Sequence, residues 1–239
     1  MIAKYLNIIN SDRINIGRDP MLIMSVLAPF MILAVALFLF PIADEASIRL
    51  FNFPLNPYFN FGYAFLLPVT PMLFGMVFGF ILLDERDGGI ISYYSVTPLA
   101  KNGYVFTKMT APVLLSFAFS FLYLSLTGLG SEYGLLNSIV LSAIIASEAP
   151  MMLLFLGAFA ANKVEGIAIS KGFGILLFAL IIDFFFVGWW RYLLAISPLW
   201  WVGRSLLSEN NQVLYLIGAA LTHSLFIIVL FRKFNKKID

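Results

Sequence analysis

Six long apolar runs, each with almost no charge, alternate along the chain with short polar or glycine- and proline-containing breaks. The runs fall at about residues 21–40, 63–83, 106–129, 139–161, 173–190 and 213–231. Each holds 18 to 24 residues, enough to cross roughly 30 Å of hydrocarbon as a helix rising about 1.5 Å per residue. The pattern predicts an all-α polytopic membrane protein with six transmembrane helices in one membrane domain spanning 1–239. Ahead of the first run, Ile2, Tyr5, Leu6, Ile9, Arg13 and Ile16 recur at three- and four-residue steps. That spacing predicts an interfacial helix over residues 1–18. Gly17 interrupts it, and Pro20 suits the first turn of a new helix.

Composition sharpens this. Apolar side chains make up 61% of the 239 residues and charged ones 12%, against about 25% charge in an ordinary soluble domain. Lys and Arg orient the bundle. Twelve of the fifteen lie in the N-terminal segment, the even-numbered connections and the C-terminal tail; Arg49, Arg191 and Arg204 lie on the other side. This imbalance places both termini in the cytoplasm of a multi-pass cell-membrane protein. A net charge of +2 is too small for nucleic-acid binding. There is no cysteine and one histidine, which excludes thiolate chemistry and cysteine-based metal sites. No cluster of polar groups and no HExxH motif suggests an enzyme.

The connections are unequal. An outer loop of about twenty residues with Pro41, Pro54 and Pro57 is expected after the first span. The segment between the fifth and sixth spans holds Trp189, Trp190, Trp200 and Trp201, all the tryptophans of the chain. It reads either as a short re-entrant or interfacial helix or as an aromatic belt. Gly75 and Gly79 form a GxxxG pattern, open to packing within the chain or between chains. Gly172 and Gly174 could loosen the start of the fifth span.

Three ionisable groups lie within spans: Glu148, just before Ala149 and Pro150, Asp183, and His223. A charge at that depth needs a partner or a wet cavity. These residues could line a substrate path or a subunit seam, brace the bundle, or relay protons in an ion-coupled secondary carrier.

The inner connection after the second span is the most informative stretch. Asp84, Glu85, Arg86 and Asp87 lead through Gly88 and Gly89 into an amphipathic segment ending at Thr97, Pro98 and Leu99, followed by Tyr104 and Lys108. Together with Asn162, Lys163 and Glu165 in the next inner loop and Ser197, Pro198 and Trp200 before the last span, this order resembles the ABC-2 class of ATP-binding-cassette transporter permeases, and within it the small fluoroquinolone-type and multidrug export permeases. The resemblance implies a transport subunit and not an enzyme. Two permease chains, identical or different, would form the pathway above two cytoplasmic ATPase subunits. ATP and Mg would sit on those subunits and no cofactor on this chain. A coupling helix would lie within 84–104, with Glu85, Arg86, Asp87, Gly88, Thr97, Pro98, Leu99, Tyr104 and Glu165 at the ATPase contact. The cargo would be a hydrophobic or amphiphilic drug, lipid or peptide moved outward. In agreement, the chain lacks the GxxxxGK[ST] order a phosphate-cradling loop needs.

Overall fold

The computed structural model describes residues 2–95, 100–129, 134–208 and 211–238. They form thirteen α-helices and no strand: α1 (Ile2–Arg18), α2 (Pro20–Ala34), α3 (Phe40–Phe51), α4 (Phe59–Leu66), α5 (Val69–Asp87), α6 (Ile90–Ser95), α7 (Ala100–Thr127), α8 (Gly134–Ala146), α9 (Glu148–Phe159), α10 (Lys163–Phe173), α11 (Phe178–Phe185), α12 (Pro198–Leu207) and α13 (Gln212–Ile238). Joined end to end, they make six apolar rods: Pro20–Phe51, Asn56–Asp87, Gly103–Thr127, Gly134–Phe159, Lys163–Phe185 and Gln212–Lys237. Helix α1, the end of α5, the start of α10 and the last turns of α13 lie at one end, here called basal; the opposite end is apical.

The second and fourth rods form the centre. In their most apolar stretches 78% and 67% of residues are buried, against 39% or less in the other four. Glycine permits this closeness. A Cβ on Gly75 would strike the Ala149 carbonyl and lie 2.8 Å from Met152; one on Gly79 would lie 2.7 Å from Leu156. The GxxxG pattern therefore packs inside the chain, α5 against α9.

The first rod runs past Pro41, where a loop was expected. A π-helical turn, Val35–Leu39, precedes it, and the Phe40 amide donates to Val35 five residues back. The wider turn gives the proline ring room against the preceding carbonyls, so the helix survives. It ends at Asn52, whose φ of 53° and bond to Ile48 O at 2.9 Å make a left-handed cap. Asp44 Oδ1 then accepts the amides of Leu55 (2.6 Å) and Asn56 (3.0 Å). The apical loop is thus only a few residues long.

Two basal connections shrink in the same way. Asp84, Glu85, Arg86 and Asp87 belong to the last turns of α5, and Glu165 to the first turn of α10. In the fourth rod, Pro150 breaks the helix at Ser147. The Ser147 amide and hydroxyl both turn to Ile144 O, at 3.0 and 2.5 Å, which frees the backbone ahead of the proline. In the fifth rod a 3₁₀ stretch, Gly174–Leu177, separates α10 from α11, where the glycines were expected to loosen it.

The tryptophan segment divides. A 3₁₀ stretch, Trp189–Ile196, is exposed, with Trp189 77% accessible. Helix α12 folds back between α4, α11 and α13, with Trp200 2% accessible. Helix α1 is present as expected and packs on α2, α5 and α7.

Candidate functional site

Three polar groupings stand out. The first is a buried joint at the basal end. Tyr104 and Lys108, one turn apart on α7, face the same way. Lys108 Nζ donates to Glu85 Oε1 at 2.6 Å and also to Asp12 of α1. Tyr104 donates its hydroxyl to Glu85 Oε2. Tyr94 of α6 stacks on Tyr104, rings 4.3 Å apart. Lys108 and Tyr104 are each 1% accessible, Asp12 3% and Glu85 6%. Burying these charges costs several kcal/mol per ion unless they are paired and hydrogen-bonded, and both oxygens of Glu85 are. Burial is also the main reason the Asp12 carboxyl is pushed up to about 6, with Lys108 pulling the other way and Glu85 adding to the rise. The joint ties α1, α5 and α7 together immediately beside α6.

Arg86, next in sequence, reaches sideways. Its Nη1 donates to Gly157 O at 3.1 Å, and its Nη2 to Ala160 O at 3.0 Å and Ala161 O at 2.6 Å. Lys237 adds a bond to Ala160 O at 2.6 Å. Two cations thus fill the carbonyls left open at the end of α9. Asp87 pairs loosely with Arg86, 3.7 Å away, and Gly88 caps α5. Glu165 starts α10: its amide donates to Asn162 Oδ1 at 3.0 Å and its carboxylate accepts the Ala161 amide at 2.6 Å, close to a capping box. Lys163 bridges Asp19 (2.7 Å) and Asp84 (2.9 Å). That bond is the main cause holding the Asp19 carboxyl below its ordinary range. Thr97, Pro98 and Leu99 lie outside the described residues.

The second grouping is a pair inside the bundle, Glu148 at the start of α9 and His223 of α13. His223 Nδ1 lies 2.7 Å from Ala219 O and Nε2 lies 2.9 Å from Glu148 Oε1. A carbonyl only accepts, so Nδ1 carries a hydrogen. The Nε2–Oε1 bond then needs one proton, on either atom, and the pair carries no net charge in either arrangement. Glu148 Oε2 is buried with no partner among the described residues. His223 also lines a mostly apolar lateral groove of about 630 Å³ between α8 and α13.

The third grouping is apical. Asp183 Oδ1 accepts Arg204 Nη2 at 2.7 Å and Trp200 Nε1 at 2.8 Å. The structure therefore brings Glu148 and His223 together and leaves Asp183 in a separate ion pair.

With this geometry in place, the comparisons decide the family. Residues 12–231 match the family described as "Fluoroquinolones export permease protein Rv2686c-like". The chain belongs to this family. Two relatives from Mycobacterium tuberculosis, "Fluoroquinolones export permease protein MT2760" of strain CDC 1551 / Oshkosh and "Fluoroquinolones export permease protein Rv2686c" of strain ATCC 25618 / H37Rv, are each 27% identical over 226 residues, covering 92% of this chain and 89% of theirs. No solved structure matches. The protein is thus an ABC-2 type membrane permease, a transport protein and not an enzyme. The matched region contains all three groupings.

Two residues of this permease escaped the reading of its sequence. Asp12 is three residues after Ile9 and four before Ile16, so it lies on the apolar stripe of α1; an acid on that stripe was the available signal. Arg204, one of three cations on the sparse side, sits one turn beyond Trp200.

Proposed function

We propose that this permease is the membrane subunit of an ATP-driven exporter that moves a hydrophobic or amphiphilic molecule outward, as the names of its mycobacterial relatives state for fluoroquinolones. Its basal end faces the cytoplasm, as the Lys and Arg asymmetry favours, and the membrane is the cell membrane. Two separate ATPase subunits bind there and hold the ATP and Mg. A second permease chain, identical or related, completes the pathway.

The observation that carries the reading is the two-sidedness of α6. Ile91 is buried and Tyr94 stacks on Tyr104, whereas Ile90 and Tyr93 are 40% and 67% accessible. One face is fastened to the buried joint and the other is offered outward, next to Gly88 and Asp87. ATPase closure pressing on that face moves the ends of α5 and α7 together, because Glu85, Lys108 and Tyr104 lock them, and moves α9 through Arg86. Glu165 supports the neighbouring turn, and Thr97, Pro98 and Leu99 continue the same segment. The energy enters as a shift between inward- and outward-facing populations. Glu148 and His223, beside the lateral groove, and Asp183, at the apical cavity, are the pathway candidates. The partnership of Asp183 with Arg204 gives an ion relay through all three acids and bases no support.

The test is co-expression with the ABC ATPase subunit proposed as its partner. Ile90→Ser with Tyr93→Ala should abolish co-purification of the ATPase and ATP-stimulated efflux while the melting temperature of the permease stays unchanged. Full ATP-driven efflux from a permease whose residues 90–95 are replaced by a glycine–serine linker would refute the coupling.

A further inference from the structure

Three arginines mark the apical side: Arg49, Arg191 and Arg204. Two are accounted for. Arg49, on α3, is exposed, and Arg204 is paired with Asp183 on the wall of an apical cavity of about 750 Å³. Arg191 is neither exposed nor paired. It is half-buried. Its Nε is shut inside without a partner among the described residues, whereas its two Nη atoms, equally unbonded there, reach the surface. Only the Tyr192 ring attends it, 5.5 Å from the guanidinium carbon. A half-buried charge without a counter-ion is costly, so an anion from outside the chain is expected to meet it.

The surroundings say which kind. The 3₁₀ stretch Trp189–Ile196 repeats every three residues. Trp189 and Tyr192 fall on one face, Leu193 and Ile196 on a second, and all four are exposed. Arg191 and Leu194 share the third face and are half-buried. The stretch lies beside the start of α12: Trp201 Nε1 donates to Ala195 O at 2.7 Å, and the Trp201 ring packs where a Cβ on Gly218 would stand. Gly218 lies six residues after Gln212, the first of α13, which is about 9 Å along the helix. In a rod that crosses the bilayer, that depth is the border between headgroups and acyl chains of the apical leaflet. Two apolar faces at that border are covered by lipid, not by water.

We propose that Arg191 holds the phosphate of a phospholipid in the apical leaflet, with an acyl chain along Leu193 and Ile196 and with Trp189 and Tyr192 at the headgroup level. The match holds at both ends of the lipid. A guanidinium offers paired donors to a phosphate, and Trp and Tyr favour the bilayer interface. An anionic phosphodiester such as phosphatidylglycerol fits better than phosphatidylcholine, which carries its own cation beside the phosphate. The site needs only the six membrane rods and does not depend on the export reading.

All four tryptophans of the chain lie on this stretch or at the start of α12 beside it, so their fluorescence reads the site directly. The full-length permease is reconstituted in mixed bilayers of phosphatidylcholine and phosphatidylglycerol, with brominated chains on an equal fraction of one lipid or the other, and quenching is compared. Phosphatidylglycerol should occupy the site about fivefold more readily, the scale of one arginine at an anionic membrane surface. Arg191→Gln should bring the two lipids to parity, and Arg191→Lys should keep most of the preference. Arg49→Gln should leave it unchanged; a preference that vanishes there instead is a general surface-charge effect and overturns the site. Equal quenching by the two lipids in the unmodified protein overturns it whatever the variants do. So does a preference abolished by exchanging chloride for inorganic phosphate at constant ionic strength, which marks a free-anion site. Absence of quenching by either lipid overturns it as well, because another protein surface then covers the stretch.

Discussion

The basal joint and the mid-bundle pair each bury a carboxylate almost completely, yet they use it differently. Glu85 gives both oxygens to donors, Lys108 and Tyr104. Glu148 gives one oxygen to His223 and keeps the other unpartnered among the described residues. A saturated cluster fixes its geometry from several directions and has no spare position to move to. A half-saturated pair beside a helix break can exchange partners at small cost. The chain places the first where α1, α5 and α7 meet, and the second just past the helix break ahead of Pro150. Arg86 links them. It sits next to Glu85 and grips the far end of α9, whose near end bears Glu148. Helix α9 has 12 residues, a lever of about 18 Å between that grip and the pair.

The sharpest way to break this contrast is Lys108→Met. It leaves Asp12 and Glu85 buried without a cation, a loss of about 3–5 kcal/mol by analogy with other broken buried pairs. We expect a large drop in melting temperature in detergent and rapid tryptic cleavage within α1. Asp12→Asn on top of Lys108→Met should recover part of the loss. A Lys108→Met protein that melts like the parent would mean the joint is not holding these elements.

At the pair the expectation is smaller and depends on which partner is removed. His223→Leu strands Glu148 with no donor, which costs about 1–3 kcal/mol. Glu148→Gln keeps a donor, since its amide can face Nε2, and should change stability by about 1 kcal/mol or less. Export should nonetheless fall in Glu148→Gln, because the shared proton is gone. If the two variants are equally destabilised, the pair is a brace like the basal joint and the contrast fails.

Much of this architecture could be read from the chain itself, for physical reasons that also explain the misses. Apolar runs of the right length betray membrane rods because the bilayer tolerates nothing else. Their ends were harder. Pro41 reads as a stop, and only the π-helical turn before it lets the helix continue. Asp84, Glu85, Arg86 and Asp87 read as a loop because four charges follow an apolar run, whereas the α9 carbonyls and Lys163 of α10 draw them into helical turns. Glu148 and His223 were visible as expensive groups, but 75 residues of sequence separation hides a contact that packing alone creates. Lys108 was visible beside Tyr104 at the start of the third span, but nothing local told that an acid on α1 would bury it.

Arg86→Lys tests the link between the two regions. A lysine keeps the charge but loses the fork that reaches Gly157, Ala160 and Ala161 at once. We expect a loss of about 1–2 kcal/mol and faster amide exchange at the end of α9. Lys237→Met, which removes only the second donor to Ala160, should give a weaker version of the same change. Unaltered exchange in both would remove the lever from the account.

The last effect is set by pH and acts on one side of the contrast. Asp12 moves from an ordinary 3.8 to about 6 when α1 is docked. A raised value means that the docked state holds the proton more tightly than the undocked one. The resulting contribution to docking is complete below about 4 and disappears as pH rises through about 6. The groups facing Asp12 account for the sign. Lys108 of α7 is shared with Glu85 of α5, while Tyr104 is neutral, so ionised Asp12 gives the joint one negative charge too many and protonated Asp12 leaves it balanced. The absence of cysteine makes site labelling simple: spin labels at Ile14→Cys and Lys236→Cys report the position of α1 against the basal end of α13. Their distance distribution should be narrow near pH 5 and broader near pH 7.5, and Asp12→Asn should keep it narrow at both. A distribution that broadens on acidification instead would show that Lys108, not burial, governs Asp12, and the basal joint would then be a simple ion triad held most firmly at neutral pH.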